Sequence, residues 1–326
     1  MFKRFASTVV QASKAQYHQP IPSSAFPKGY LLTGLHAGVK KNTAALDLAI
    51  ILSSSENTSA AACFTKNVFK AAPVLVSEQI LTDNGGRARA IVVNSGCANA
   101  VTGQRGLEDA WTMTKETDAL YSKSQNRPES LVMSTGVIGQ HLPISKLVSA
   151  IRSQRVHEPT STLGSDFAAW ERAAKAFMTT DTFPKLRARK FVIDGVEYCI
   201  AGMDKGAGMI HPDMQPPSPH ATLLGCILTD APVDPASLQS ALTYAVERSF
   251  NSISVDGEMS TNDTIIALAN GAKSPGPGGE LHRHHNAQGY HEFRQVLTDF
   301  AVDLAKLVVR DGEGATKFVT VTVKVS

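Results

Sequence analysis

Apolar positions along the chain fall into two patterns. Short runs rich in β-branched residues and bordered by turn residues predict strands over Leu46–Leu52, Ala60–Phe64, Ala88–Val93, Ser130–Met133, Phe191–Ile200, Thr222–Leu228, Thr264–Ala269 and Phe318–Val325. Longer stretches with spaced apolar residues predict helices over Leu107–Tyr121, Ile144–Ser153, Asp166–Phe177, Ala236–Phe250 and Glu292–Val309. Pro143 ahead of the second helix and Asp234-Pro235 ahead of the fourth supply start signals. Both element types recur along the whole length, which implies an α/β or α+β protein with at least one large sheet. Two segments break this rhythm. Gln215–His220 holds three prolines in six residues, which forbids regular structure. Lys273–Gln288 is a Gly/Pro loop followed by His282, His284 and His285. No cysteine or carboxylate stands at ligand spacing from these histidines, so the segment reads as a solvated basic loop rather than a metal site.

Composition narrows the class. Hydrophobic residues make up 43% of the 326 and charged residues 19%, too apolar for a disordered chain. No apolar run approaches the ~18 residues of a membrane span. Cys63, Cys97, Cys199 and Cys226 lie far apart without ligand spacing, against a disulfide scaffold or structural zinc. Charge is unevenly placed: six basic residues and no acidic one precede Asp47, leaving 26 basic against 29 acidic from Asp47 onward. The folded part therefore lacks the basic surface of a nucleic-acid binder. The acid-free leader MFKRFASTVVQASKAQYHQ reads as a mitochondrial transit peptide over residues 1–20.

Four clusters of small residues follow or precede the expected strands: NSGCANAVTG (Asn94–Gly103), STGVIG (Ser134–Gly139), KGAGMIHP (Lys205–Pro212) and SVDGEMSTNDT (Ser254–Thr264). Glycine lets backbone N–H groups approach a ligand, and hydroxyls add donors, so such loops suit anion sites and oxyanion holes. None matches a dinucleotide fingerprint, a phosphate loop or a nucleophile elbow. Cys97 has no histidine nearby in sequence, while Cys199 and Cys226 fall inside expected strands, so all three read as structural thiols. A hydroxyl nucleophile remains, and spacing does not choose among the many serines and threonines.

Taken in order, VNSGCANAVTG, MSTGVIG, FMTTDTFPK, GMDKGAGMIHPDM, ATLLGCILTDAPV, FNSISVDGEMSTNDT and RDGEGATKFVTVTV resemble the ornithine acetyltransferases, or glutamate N-acetyltransferases, of arginine biosynthesis. The resemblance runs from about Gly34 to the last residue and is nearest the mitochondrial enzymes of fungi. It implies a layered α/β/β/α sandwich and a precursor that cuts itself between Ala221 and Thr222. It further implies an α chain over residues 21–221 and a β chain over 222–326, associating as a heterotetramer of two each in the mitochondrial matrix. Thr222 becomes the acyl-carrying nucleophile, its freed α-amine (pKa about 7.7–8.0) suited to take the hydroxyl proton. Thr135 and Gly136 match the oxyanion-hole pair, and Thr179, Lys205, Thr222 and Glu313 match substrate-binding positions. The expected reaction moves acetyl from N-acetylornithine to glutamate, with acetyl-CoA a further donor in some relatives. No metal or other cofactor, nucleic acid or membrane is implied.

Two features depart from the family pattern. Gln215–His220 stands between HPDM and the cleavage site, and the β chain reads as incomplete at its C-terminus. Two rival readings accompany the main one: an N-terminal-nucleophile aminopeptidase of the same fold, and a truncated, inactive homologue.

Overall fold

The computed structural model describes residues 14–121, 127–155, 159–212, 214, 223–274, 276 and 279–324. Among these, nine strands form two sheets. One sheet has the order β1 (Tyr30–Leu35), β2 (Leu48–Ser53), β4 (Ala90–Cys97), β5 (Ser130–Val137). The second has the order β3 (Ser59–Phe64), β9 (Thr264–Ala269), β8 (Leu224–Thr229), β7 (Val196–Lys205), β6 (Lys185–Ile193). The pairs β4·β5 and β8·β9 are parallel and the others antiparallel.

Side-chain alternation divides the second sheet between two cores. Met203, Leu224, Cys226, Leu228, Ile266 and Leu268 join the core shared with the first sheet. Their neighbours Ile200, Leu223, Ile227, Ile265 and Ala267 pack instead with α5 (Pro235–Glu247) and α6 (Ala287–Arg310). Both faces of β8 and β9 are buried, which is why their sequences are continuous apolar runs rather than alternating ones. Helices α1 (Ala72–Asp83), α2 (Gly103–Asp118), α3 (Ile144–Arg152) and α4 (Phe167–Phe177) accompany the first sheet. The result is the layered α/β fold expected.

Two expectations are corrected, and two further elements appear. Phe191–Ile200 is not one strand but the hairpin β6–β7, turned by Asp194 and Gly195 at φ 51° and 76°. Asp-Gly supplies the two positive φ values that a tight hairpin turn requires. Two elements carried too little pattern to be expected. These are β1, whose Gly34 lets α4 approach so closely that a Cβ would meet the Arg172 carbonyl, and α1, which carries Pro73 in its first turn. The expected strand Phe318–Val325 has no ladder partner among the described residues. Residues 318–324 run without regular structure, with Val319, Val321 and Val323 exposed.

Each sheet has an edge closed by a helix side chain. Ser77 of α1 accepts from the Val132 N–H and donates to its carbonyl, both at 2.8 Å. Gln239 of α5 does the same for Ala62 at 3.1 and 3.0 Å. Backbone groups that would otherwise template pairing with another chain are thereby satisfied.

Candidate active site

The small-residue clusters converge because parallel pairing brings strand ends together. β4 and β5 run in register to Gly96 and Gly136, and a bulge at Cys97 interrupts the ladder just before its last pair, Cys97 with Val137. Asn262 then ties three clusters to one another. Its side-chain amide donates to the Ala98 carbonyl at 2.6 Å and the Ser134 carbonyl at 2.8 Å. Ser134 donates to Asn94 at 2.6 Å, and Asn94 donates to the Cys97 carbonyl at 2.8 Å. Gly136 sits at φ 126°, and a Cβ there would fall inside the Gly96 backbone, so glycine is required at this position.

Lys205 bridges the two sheets. It ends β7 and pairs with Leu224, so its side chain leaves on the face toward the shared core. There its ammonium donates to the Thr135 hydroxyl at 3.3 Å, with Lys205 and Thr135 only 4% and 2% exposed. Burial pushes the Lys205 pKa down, opposed by the negative charge of Asp181, Asp263 and Glu313. Glu313 is exposed, and its N–H donates to the Ala207 carbonyl at 2.7 Å. A Cβ on Gly208 would lie 2.8 Å from the Glu313 carboxyl carbon, so that glycine leaves room for the acid. Thr179 is half-buried, and its N–H donates to Asp181 at 2.9 Å.

Ala221, Thr222 and the Gln215–His220 segment lie outside the described residues. Leu223, the next residue along, is buried, and its carbonyl accepts from the Thr264 N–H at 2.8 Å. The chain thus enters β8 between Lys205 on one side and Asp263-Thr264 on the other.

The cysteines are buried, and burial pushes the Cys63 and Cys226 thiols up to about 12, as inert core thiols require. Cys97 donates to the Gln140 carbonyl at 3.0 Å. The rings of His282 and His285 lie 4.4 Å apart, and among the described residues no group of histidine, cysteine and carboxylate suits a metal ion.

Several site residues escaped the sequence reading. Asp181 accepts from Thr179 N–H, from Gly206 N–H at 2.8 Å and from the Lys185 ammonium at 2.5 Å. Lys185 also donates to Asp311 at 2.7 Å. Asp311 accepts in addition from Lys14 at 3.3 Å, the Thr182 N–H at 2.9 Å and the Thr182 hydroxyl. The available signal was an Asp and a Lys four apart around Pro184, a segment that no helix explains. Asp263 is buried, and burial holds its carboxyl well above the usual range; among the described residues no donor reaches either oxygen.

Converging glycine and hydroxyl donors, a buried ammonium and a strand entry at the seam of two stacked sheets define an enzyme of the layered α/β class. A family model described as the ArgJ family matches residues 31–326, and the chain belongs to that family. It is 68% identical to the arginine biosynthesis bifunctional protein ArgJ, mitochondrial, of Coprinopsis cinerea, over 99% of this chain and 71% of that protein. It is 65% identical to the protein of the same name from Postia placenta, again over 99% and 71%. Among solved structures, the arginine biosynthesis bifunctional protein ArgJ of Bacillus halodurans shares 34% identity. That match has a TM-score of 0.51 and covers 61% of this chain and 95% of that one. The chain is accordingly a mitochondrial acyltransferase of arginine biosynthesis.

Proposed function

We propose that the enzyme moves acetyl from N2-acetyl-L-ornithine to L-glutamate through an acetyl ester on Thr222, after cutting its own chain between Ala221 and Thr222. The observation that carries this reading is the Lys205–Thr135 hydrogen bond beside the entry to β8. It joins a hydroxyl and glycine donor loop from one sheet to a cation from the other. The freed α-amine of Thr222 takes the proton of its hydroxyl, and the oxygen attacks the acetyl carbonyl of N-acetylornithine. Thr135 and Gly136 stabilise the oxyanion, each donor being worth about 2.7–4 kcal/mol. Collapse breaks the amide bond, and ornithine leaves with the proton. The amine of glutamate then attacks the ester, forming N-acetylglutamate and restoring the Thr222 hydroxyl. Lys205 suits the substrate carboxylate, Glu313 the ornithine side-chain amine, and Thr179 a polar contact beside them. Acetyl-CoA would enter as a second acyl donor at the same threonine, and the cut chains would associate as a heterotetramer of two each in the matrix.

The test is mass spectrometry of the purified chain together with an acetyl-transfer assay. Two fragments meeting at Ala221–Thr222 and transfer from N-acetylornithine are expected, with Thr222→Ala leaving one intact, inactive chain. Transfer by the Thr222→Ala protein would rule out Thr222 as nucleophile.

A further inference from the structure

Asp181 takes no part in the chemistry just described, yet three segments of the site converge on it. Its two oxygens accept the N–H of Thr179, the N–H of Gly206 next to Lys205, and the ammonium of Lys185. Lys185 carries the connection on to Asp311, two residues before Glu313. All three charged side chains are fully enclosed. We propose that Asp181 is a positioning residue of the acetyl-transfer site, locking the Thr179 and Lys205 segments in one frame and placing a buried negative charge against the backbone next to Lys205. This rests on the reading of Lys205 as a substrate-binding cation.

The electrostatics follow from the same enclosure. Lys205 faces Asp181 and Lys185 from the segment entering β6, Asp263 from the turn before β9, Glu313 from beyond α6, and Lys40 from the loop before β2. Asp263 sits in a buried position that favours its neutral form, and Glu313 is exposed to solvent screening. Lys185 and Lys40 work against a charged Lys205. Burial alone would raise the Asp181 carboxyl, but Lys185, Lys205 and the Thr179 N–H bring it down to about 2. Asp181 is therefore the buried neighbour whose negative charge favours the protonated form of Lys205, against the effect of burial. Removing its charge must let Lys205 lose that proton at lower pH.

The experiment follows Lys205 directly, by NMR titration of the full chain carrying lysine isotope-labelled at Cε. The signal is assigned by its absence from Lys205→Arg. In Asp181→Asn the midpoint is expected to fall, whereas in Asp181→Glu, which keeps the charge, it is expected to stay near the parent value. If Asp181→Asn does not fold, Asp181→Asn combined with Lys185→Met avoids a stranded buried ammonium, while Asp311 keeps its donors from Thr182 and Lys14. Because Asp181 outweighs Lys185 at Lys205, the midpoint should still fall. An unchanged midpoint in the folded charge-removing variant overturns the proposal. N-acetylornithine binding, measured in parallel by calorimetry, should weaken at alkaline pH sooner in Asp181→Asn than in the parent, reaching about a tenfold difference, the size of one pKa unit. A fallen midpoint with binding unaffected by Lys205→Ala would sink Lys205 as a substrate contact while leaving its tuning by Asp181 in place.

Discussion

Two kinds of buried carboxyl lie at one end of the second sheet. Asp181 and Asp311 are ringed by donors: two backbone N–H groups and Lys185 for the first, Lys185, Lys14 and both polar groups of Thr182 for the second. Asp204 and Asp263 are as deeply enclosed, and among the described residues neither oxygen of either has a partner. Asp204 even stands directly across from Lys185 in the β6–β7 ladder. Lys185 has three N–H groups; it gives one to Asp181 and one to Asp311, and sits 4.9 Å from the centre of the Phe183 ring. The contrast shows that a nearby cation alone does not bring a buried carboxyl down: Lys185 faces both Asp181 and Asp204, and only Asp181 also receives hydrogen bonds. Where no donor reaches the oxygens, as at Asp204 and Asp263, burial holds the carboxyl well above the usual range.

The sharpest way to break this contrast is Lys185→Met. It leaves Asp181 and Asp311 enclosed without their shared ammonium, and the expected loss is about 3–5 kcal/mol, read from denaturant unfolding. A loss under 1 kcal/mol would mean that the N–H donors suffice without the charge. Next comes acid unfolding. The folded pKa of Asp181 is depressed from 3.8 to about 2, so its contribution is present above the unfolded value and fades as pH falls through the folded one. Stability measured between these two pH values should drop by roughly 2 kcal/mol more in the parent than in Asp181→Asn.

Asp204 should behave in the opposite sense. Burial raises its folded pKa above the unfolded 3.8, so the folded state holds a proton that the unfolded state releases as pH rises. Asp204→Asn should therefore match the parent in acid and exceed it toward neutral pH, by about 1.4 kcal/mol for each pKa unit of the shift. Parallel stability curves for the two proteins would count against a protonated Asp204. The smallest effect is expected outside the sheet end altogether. Lys70 donates to both oxygens of Glu78 at 3.0 and 2.8 Å, yet the pair is partly exposed. Lys70→Ala should cost below about 1 kcal/mol and lose even that in high salt.

The sequence exposed the apolar skeleton and the glycine-rich clusters because both are local. A strand such as Thr264–Ala269 or a string such as STGVIG carries its pattern within a few residues. Thr135, Gly136, Thr179, Lys205 and Glu313 were named on the strength of such strings, and the fold brings Thr135 to Lys205 and Glu313 to Ala207. The Asp181–Lys185–Asp311 cluster was not legible, since its partners are 126 residues apart and charged side chains ordinarily read as surface. Asn262 was hidden for a related reason: inside STNDT it looks like a turn residue, and its role depends on two carbonyls from the other sheet. The β6–β7 hairpin, by contrast, carries a local sign, Asp194-Gly195, within an otherwise continuous strand-like run.

The order of the second sheet bears on how a cut chain would hold together. β8 and β9 follow residue 222, while β3 on one side of them and β7 and β6 on the other precede it. A break ahead of Leu223 would thus leave the later fragment contributing a pair of strands wedged between strands of the earlier one, hydrogen-bonded along both flanks. Such halves have no seam along which to part: separating them means tearing the sheet open twice. Dilution would not dissociate them on any ordinary timescale. Once denatured, however, the pieces would have to find each other again, so renaturation would slow in proportion as they are diluted, whereas an uncut chain would refold at a rate independent of concentration.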